Sequence, residues 1–421
     1  MHPTVIVGGG VVGLCTAYAL HRRGATVMVV DAGPRERAAS HANAGWIVPS
    51  LSGPVPAPGL VGTSLRWMLQ PGSPLHLRPR ADPAFARWLL AFWRRCNAHD
   101  HRAGLEATLA LAAGTMACFD ALRADGVAFE EHRGGLAVAY HTAAALAHDH
   151  AGLAPLVPFG YPTPPLLDGD AIRALEPALA AAIVGGYWLA GERHVRPDTL
   201  VAGLIARLRA GGVAVHEGES VVGVDLAGGN GPRRITSVTT DRGRIAAEAV
   251  VVCAGAWTPA VLRRAGARLL PIEAAKGYSL DYAPPPRPVG RALYLHEARV
   301  AVTPLAGMVR LAGTMELSGL NHRLTPARLA AVARAGTRSL RDWPPDPSAA
   351  VAWTGSRPLT PDGLPTIGAM PGWANLLVAS GHGMLGVTLG PATGDAVADF
   401  LLTGRAPDVL APFDPARFVD P

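Results

Sequence analysis

The apolar positions first form a short block over residues 4–7. They return after a glycine turn with helical spacing over 11–23, and block again over 26–31, with Gly24 closing the helical part. Block, helix and block predict a βαβ unit with parallel strands. Over 82–97 the helical period recurs, with Phe85, Trp88, Leu89, Phe92 and Trp93 set against Arg87, Arg94 and Arg95. This predicts a helix that packs its aromatic face inward; a helix lying on a membrane surface is the minority reading.

Alanine-rich helical stretches follow to about residue 153, interrupted by an apolar strand near 136–140. A helix over 197–210 leads into strands near 213–216 and 221–226, and a hairpin pairs 235–240 with 244–247. Strand 249–253 ends in Ala254-Gly255-Ala256-Trp257, which opens another helix. Strands dominate 270–314, a helix covers 325–340, and 376–379 runs into a glycine turn and a last helix over 385–402. Nucleotide-domain signals thus occur at the start, middle and end of the chain, with other material inserted between them. No fixed-period repeat or low-complexity linker divides it. The Pro/Gly-rich passage 46–74 reads as a long ordered loop over a site or as a lid.

A length of 421 residues suits one large or two interleaved domains, and 49% hydrophobic with 17% charged residues excludes a disordered chain. Lysine and arginine total 38 against 32 acidic residues, a net of +6, but the charge is spread out and argues for no nucleic-acid partner. Cys15, Cys96, Cys118 and Cys253 lie far apart without ligand spacing, so no metal site or disulfide framework is expected, and a reducing cytoplasm is the simplest home. No secretory signal is read at the amino terminus. Residues 363–394 carry no Asp, Glu, Lys or Arg, long enough to span a bilayer. Eight glycines and Pro365, Pro371 and Pro391 favour buried strand, loop and helix there. Of the 38 strong basic residues only Lys276 is a lysine.

Gly8-x-Gly10-x-x-Gly13 follows the first strand and opens the first helix, the setting of a dinucleotide fingerprint. Gly8 permits the tight turn, Gly10 lets backbone approach a pyrophosphate, and Gly13 allows close helix–strand packing, with the helix amino terminus facing the phosphate charge. Asp31 ends the second strand, where its carboxylate can accept hydrogen bonds from ribose hydroxyls. The fingerprint alone does not choose between FAD and NAD; a nucleotide domain assembled from both chain ends favours FAD.

Four further motifs stand in order along the chain. They are Ser40-His41-Ala42-Asn43-Ala44-Gly45, Lys276-Gly277-Tyr278-Ser279, the stretch Gly355-Ser356-Arg357-Pro358-Leu359-Thr360-Pro361-Asp362-Gly363, and Gly381-His382-Gly383-Met384-Leu385-Gly386. With these the sequence resembles the FAD-dependent D-amino-acid dehydrogenases, relatives of glycine oxidase and D-amino-acid oxidase. The resemblance implies an α/β fold: a glutathione-reductase-like, Rossmann-type FAD domain interleaved with an α+β substrate domain on an antiparallel sheet. The expected partition gives 1–81, 197–268 and 350–421 to the FAD domain, and 82–196 and 269–349 to the substrate domain. The implied reaction passes hydride from an amino acid's Cα to flavin N5, and the imino acid then hydrolyses to a 2-oxo acid and ammonia. Electrons go on to a quinone or another acceptor such as a dye.

By the same resemblance Ser40, His41, Gly45, Trp46 and Ile47 approach the flavin and Val221 meets the adenine. The cofactor set also takes in Val11, Val12, Ala32, Gly255 and Trp257, and the turn Gly381, His382, Gly383, Met384, Leu385, Gly386, Val387 and Thr388. That turn opens a helix whose N–H groups can stabilise negative charge on reduced flavin. Arg357 is the expected carboxylate clamp, since a planar guanidinium offers two parallel hydrogen bonds. Tyr278, Tyr294, His296, Arg299 and His382 are candidate pocket residues, with packed or solvated roles as the alternative. Lys276 is expected beside the isoalloxazine, tuning hydride transfer or reoxidation, with Tyr278 and His382 also in the catalytic set. Glycine oxidase-like relatives carry an arginine where Met384 stands, which points here to a larger, less polar pocket. Relatives with covalent flavin use a His directly ahead of a small-small-Gly sequence or a later Cys. Here Ala42 holds the first position and no Cys follows Cys253, so FAD is expected to be non-covalent. Two alternatives stay open: a flavin enzyme of secondary amines such as D-hydroxyproline, D-proline or sarcosine, and a non-catalytic dinucleotide-binding module. The expected location is cytoplasmic, with peripheral contact at the inner face of the cell membrane as a variant.

Overall fold

A computed structural model describes residues 2–60, 62, 64, 73–344 and 346–418. Its first sheet has six strands in the order Ala214–Glu217, Val27–Asp31, Thr4–Val7, Ala249–Val252, Leu376–Ser380 and Thr366–Ala369. The first five run parallel and the last is antiparallel. Ala249–Val252 and Leu376–Ser380 are buried at every position, the continuous apolar run of strands covered on both faces. The first helix, Val11–Arg22, lies against the last, Gly386–Thr403, where Gly390 and Gly394 face Val11 and Cys15. The two chain ends therefore close one layer of the nucleotide unit.

The second sheet has nine strands. Eight follow the order Ala350–Leu359, Glu273–Tyr282, Met308–Leu317, Val300–Leu305, Ala292–Leu295, Leu136–Tyr140, Gly185–Leu189 and Leu167–Asp168, and Leu75–Leu77 pairs with Met308–Leu317. It is mainly antiparallel, with parallel contacts between Ala292–Leu295 and Leu136–Tyr140 and along Leu75–Leu77. Helix Pro326–Ser339 covers one face through Val332, Ala333 and Ala335, packed with Leu280, Leu293 and Leu311.

Two boundaries differ from the sequence reading. Strand Ala350–Leu359, expected in the nucleotide unit, pairs over ten residues with Glu273–Tyr282 and so belongs to the second sheet. Leu75–Leu77, also placed with the nucleotide unit, joins the same sheet. Local pattern marks a strand but not the ladder it enters. The helix expected over 82–97 ends at Arg94, because Asn97 caps a new helix, Ala98–Ala112, by accepting the Asp100 N–H at 2.9 Å. Phe85 and Trp88 are buried and the Trp88 indole donates to Pro271 O at 3.1 Å, whereas Leu90 and Trp93 are exposed. The uncharged stretch 363–394 folds as two buried strands, a glycine turn and the start of the last helix, and is no bilayer span. The lid reading of 46–74 falls partly on residues 61, 63 and 65–72, outside the described residues.

Candidate active site

The two sheets meet along a cleft of about 1330 Å³. Its nucleotide end is built by the first turn. Gly8 has φ +117°, and a Cβ there would stand 2.5 Å from Cys253 O; a Cβ on Gly13 would stand 2.0 Å from Gly8 O, so strand and helix touch backbone to backbone. Ser40 Oγ accepts the Val11 N–H at 3.1 Å, and the first turn of the helix holds no acidic residue. Asp31 accepts the Gly9 N–H on Oδ2 at 2.6 Å and the Gly33 N–H on Oδ1 at 2.8 Å, which fixes its carboxylate at the cleft wall. A bare backbone turn, a positive helix end and a fixed carboxylate fit a dinucleotide pyrophosphate and ribose.

At the other end the chain turns at Gly381, His382 and Gly383 into helix Gly386–Thr403, whose first turn carries no acidic residue and whose cap makes no side-chain bond. Gly386 and Val387 line the cleft, so this positive end faces it too. His382 is buried, its Nε2 within 3.0 Å of Thr393 Oγ1, and burial pushes its pKa down to about 3, leaving the ring neutral. Met384 is exposed at the cleft wall. These groups suit the polar end of a flavin ring and would hold it there.

Arg357, the expected clamp, lies beside this turn. Gly383 N–H donates to Pro358 O at 2.9 Å, so the turn is fastened to the residue after Arg357. The Arg357 guanidinium lies over Gly277, where a Cβ would stand 2.4 Å from Nη2. Its Nη1 donates to Thr314 O at 2.9 Å, and no carboxylate faces it among the described residues. Burial lowers its pKa to about 10. Thr314 has φ +59°, a strained conformation for a β-branched residue, and this turns its carbonyl toward the clamp.

Beyond the clamp the cleft opens into a polar chamber. Trp46 meets Tyr294 edge-on at 5.7 Å, and Arg299 donates to the Tyr294 hydroxyl at 3.2 Å. Asp149 Oδ2 accepts from the Tyr187 hydroxyl at 2.8 Å and from the Tyr140 hydroxyl, with His296 Nδ1 3.3 Å away. Burial alone would raise the Asp149 pKa, but His296 and the two tyrosines hold the carboxyl well below the usual range.

Most of the expected site residues line this cleft: Gly8, Gly10, Val11, Val12, Asp31, Ala32, Ser40, Gly45, Trp46, Val221, Gly255, Trp257, Tyr278, Tyr294, His296, Arg299, Arg357, and Gly381's neighbours His382 to Val387. Gly13, His41, Ile47, Gly381 and Thr388 do not. Ile47 is core, His41 tilts against Trp353, and Thr388 Oγ1 accepts the Val48 N–H at 3.2 Å while donating to Trp46 O at 3.1 Å.

Lys276 is a correction. It does not line the cleft; its ammonium is 1% exposed and held by Glu316 at 3.0 Å, Asn321 Oδ1 at 2.9 Å and Arg323 O at 2.9 Å. All three donors of the ammonium have acceptors, so none remains for a flavin. Tyr278 reaches the cleft with its ring, but its hydroxyl bonds to Glu316 Oε2 at 2.6 Å and Thr325 Oγ1 at 2.9 Å and has no free role there. Sequence reasoning missed Thr314, Asp149 and Tyr187, which come together only through strand pairing and helix packing.

A nucleotide cradle and an arginine with no carboxylate partner among the described residues face one cleft, an arrangement that suits a dinucleotide-dependent oxidoreductase of an anionic substrate. The chain belongs to the family described as FAD dependent oxidoreductase, whose profile matches residues 4–400. It is 36% identical over 412 residues to a D-amino acid dehydrogenase of Cereibacter sphaeroides, covering 96% of this chain and 92% of that one. It is 35% identical over 413 residues to a D-amino acid dehydrogenase of Rhizorhabdus wittichii, covering 96% and 97%. In fold it is similar to the crystal structure of glycine oxidase from Geobacillus kaustophilus, with a TM-score of 0.76 at 24% identity over 100% of both chains. FAD is therefore the dinucleotide that the cradle serves.

Proposed function

We propose that this enzyme oxidises D-amino acids at the Cα–N bond to imino acids, which water converts to 2-oxo acids and ammonia. The observation that carries the reading is Arg357, a cation inside the cleft whose guanidinium donates, among the described residues, to one backbone carbonyl. Its remaining N–H groups suit a carboxylate through two parallel charge-assisted bonds. The relatives named D-amino acid dehydrogenase support the substrate class and its hand. Bound FAD supplies the hydride acceptor; the chain's own part is to orient the donor and keep water out. The bond from Gly383 to Pro358 fastens the flavin-facing turn to the residue after the clamp.

A quinone or another carrier is the electron acceptor in this reading, which the relatives' designation as dehydrogenases supports. The exposed Leu90 and Trp93, beside exposed Arg87, Arg94 and Arg95, support peripheral contact with the inner face of the cell membrane by a cytoplasmic protein. An anaerobic bleaching panel of D- and L-amino acids, glycine, sarcosine and D-hydroxyproline, followed by reoxidation with quinone or dioxygen, tests the substrate and the acceptor. D-amino acids should bleach the flavin; bleaching by L-amino acids or secondary amines alone would overturn the reading.

A further inference from the structure

Glu192 follows strand Gly185–Leu189 and is 4% exposed. Its Oε1 accepts the Ser50 backbone N–H at 3.1 Å and the Ser50 hydroxyl, while Oε2 has no hydrogen-bond partner among the described residues. Glu297 also leaves its Oε2 without a partner, but its Oε1 accepts two backbone N–H groups and the Thr142 hydroxyl, and further inward-facing carboxylates are compensated. Glu316 has Lys276, Asp281 has Arg310, Glu131 has Arg193, and Glu176 accepts three backbone N–H groups. Among the described residues Glu192 has no cation partner, and both of its donors belong to one residue. Burial pushes its pKa up to about 7 against the two Ser50 bonds, so the carboxyl can gain or lose a proton near neutrality. The titratable group whose field it shares is Tyr161, whose phenol burial and the Glu192 charge both push up.

Ser50 connects this carboxyl to the cleft. It lines the wall within the short 3-10 turn Pro49–Leu51, two residues after Val48, whose N–H is bonded to Thr388 at the flavin-facing helix. Leu51, one residue on, packs in the same cluster as Trp46 and Tyr294. Ser50 is thus fixed between the turn that faces the flavin and the wall of the substrate chamber.

An amino acid arrives from water as an ammonium, yet hydride leaves Cα only when the nitrogen lone pair is free to form the C=N bond. We propose that Ser50 and Glu192 form a proton relay that takes this proton from the bound substrate. The N–H bond breaks and leaves its electron pair on nitrogen; the proton goes to Ser50 Oγ as the Ser50 hydroxyl proton passes to Glu192 Oε1. Glu192 becomes neutral, and the proton returns to water by the same path after the product leaves. The inference rests on the D-amino acid reading above.

The test is the limiting rate of anaerobic flavin reduction by a saturating D-amino acid, measured by stopped flow from pH 6 to 10 on the holoenzyme. Ser50→Ala and Glu192→Gln should slow reduction about 100-fold at pH 7. Their profiles should move toward the pKa of the free amine, so that the rate recovers at pH 10, and Ser50→Thr should stay near the parent. Should Glu192→Gln fail to fold, Ser50→Ala alone decides, because it removes only the cleft-side hydroxyl. A parent-shaped profile in Ser50→Ala, at any height, overturns the relay and leaves the substrate reading standing. A parent enzyme that no D-amino acid bleaches overturns both.

Discussion

Lys276 and Arg357 stand on neighbouring strands of one sheet, in register as Lys276 opposite Ser356 and Ala275 opposite Arg357, yet the two cations are treated differently. The ammonium has a carboxylate, a side-chain carbonyl and a backbone carbonyl within bonding distance. Among the described residues the guanidinium has one backbone carbonyl, and burial lowers its pKa. A buried charge whose donors are all matched is part of the fold; one whose donors face a cleft unmatched is where an anion binds. Lysine is rare in this chain, but it is the hydrogen-bond partners that separate the two cations.

That contrast breaks most readily at the clamp. Arg357→Ala should lower kcat/KM for the D-amino acid about 1000-fold through KM, the loss of two charged hydrogen bonds of about 2 kcal/mol each. Flavin absorbance per protein should be unchanged. Lys276→Met should do the reverse. Leaving Glu316 unpaired should cost about 3 to 5 kcal/mol of stability, read as a fall in Tm, while the reduction rate of folded enzyme holds. The pair also has an acid signature. Burial alone would raise the Glu316 pKa, but bonds from Ser318, Tyr278 and Lys276 hold it at about 2, below the ordinary 4.5. Its stabilising contribution is full above 4.5 and is lost as pH falls through about 2. The Tm advantage of the parent over Glu316→Gln should therefore shrink across that window, and a constant gap would contradict the ion pair.

A smaller effect is expected at Gly277. Its alanine variant places a Cβ against the Arg357 fork, the far end of a flexible side chain, so the fold should survive while KM rises about 10-fold through a displacement worth about 1.4 kcal/mol. The mildest check concerns the cofactor alone: acid precipitation should leave flavin colour in the supernatant, as non-covalent FAD requires.

The βαβ start, the interleaving and the cleft residues Gly8, Asp31 and Arg357 were legible because each rests on local pattern or on a motif. The ladder that takes Ala350–Leu359 out of the nucleotide unit was not, since strand pairing is set by contacts between distant segments. For the same reason the sequence named Lys276 but not Glu316, and Tyr294 but not Asp149. A charge can be read from one residue, but its compensation depends on what the fold brings beside it. Thr314 was hidden differently, because a positive φ at a β-branched residue has no sequence signal.

The central claim is that Arg357 reads the carboxylate of the donor. Anaerobic flavin reduction should be compared in the parent and Arg357→Ala, each with a D-amino acid and with the matching amine that lacks the carboxylate. The account predicts that the parent strongly prefers the amino acid and that the variant treats the two donors nearly alike. An Arg357→Ala enzyme that keeps the parent's preference would contradict it.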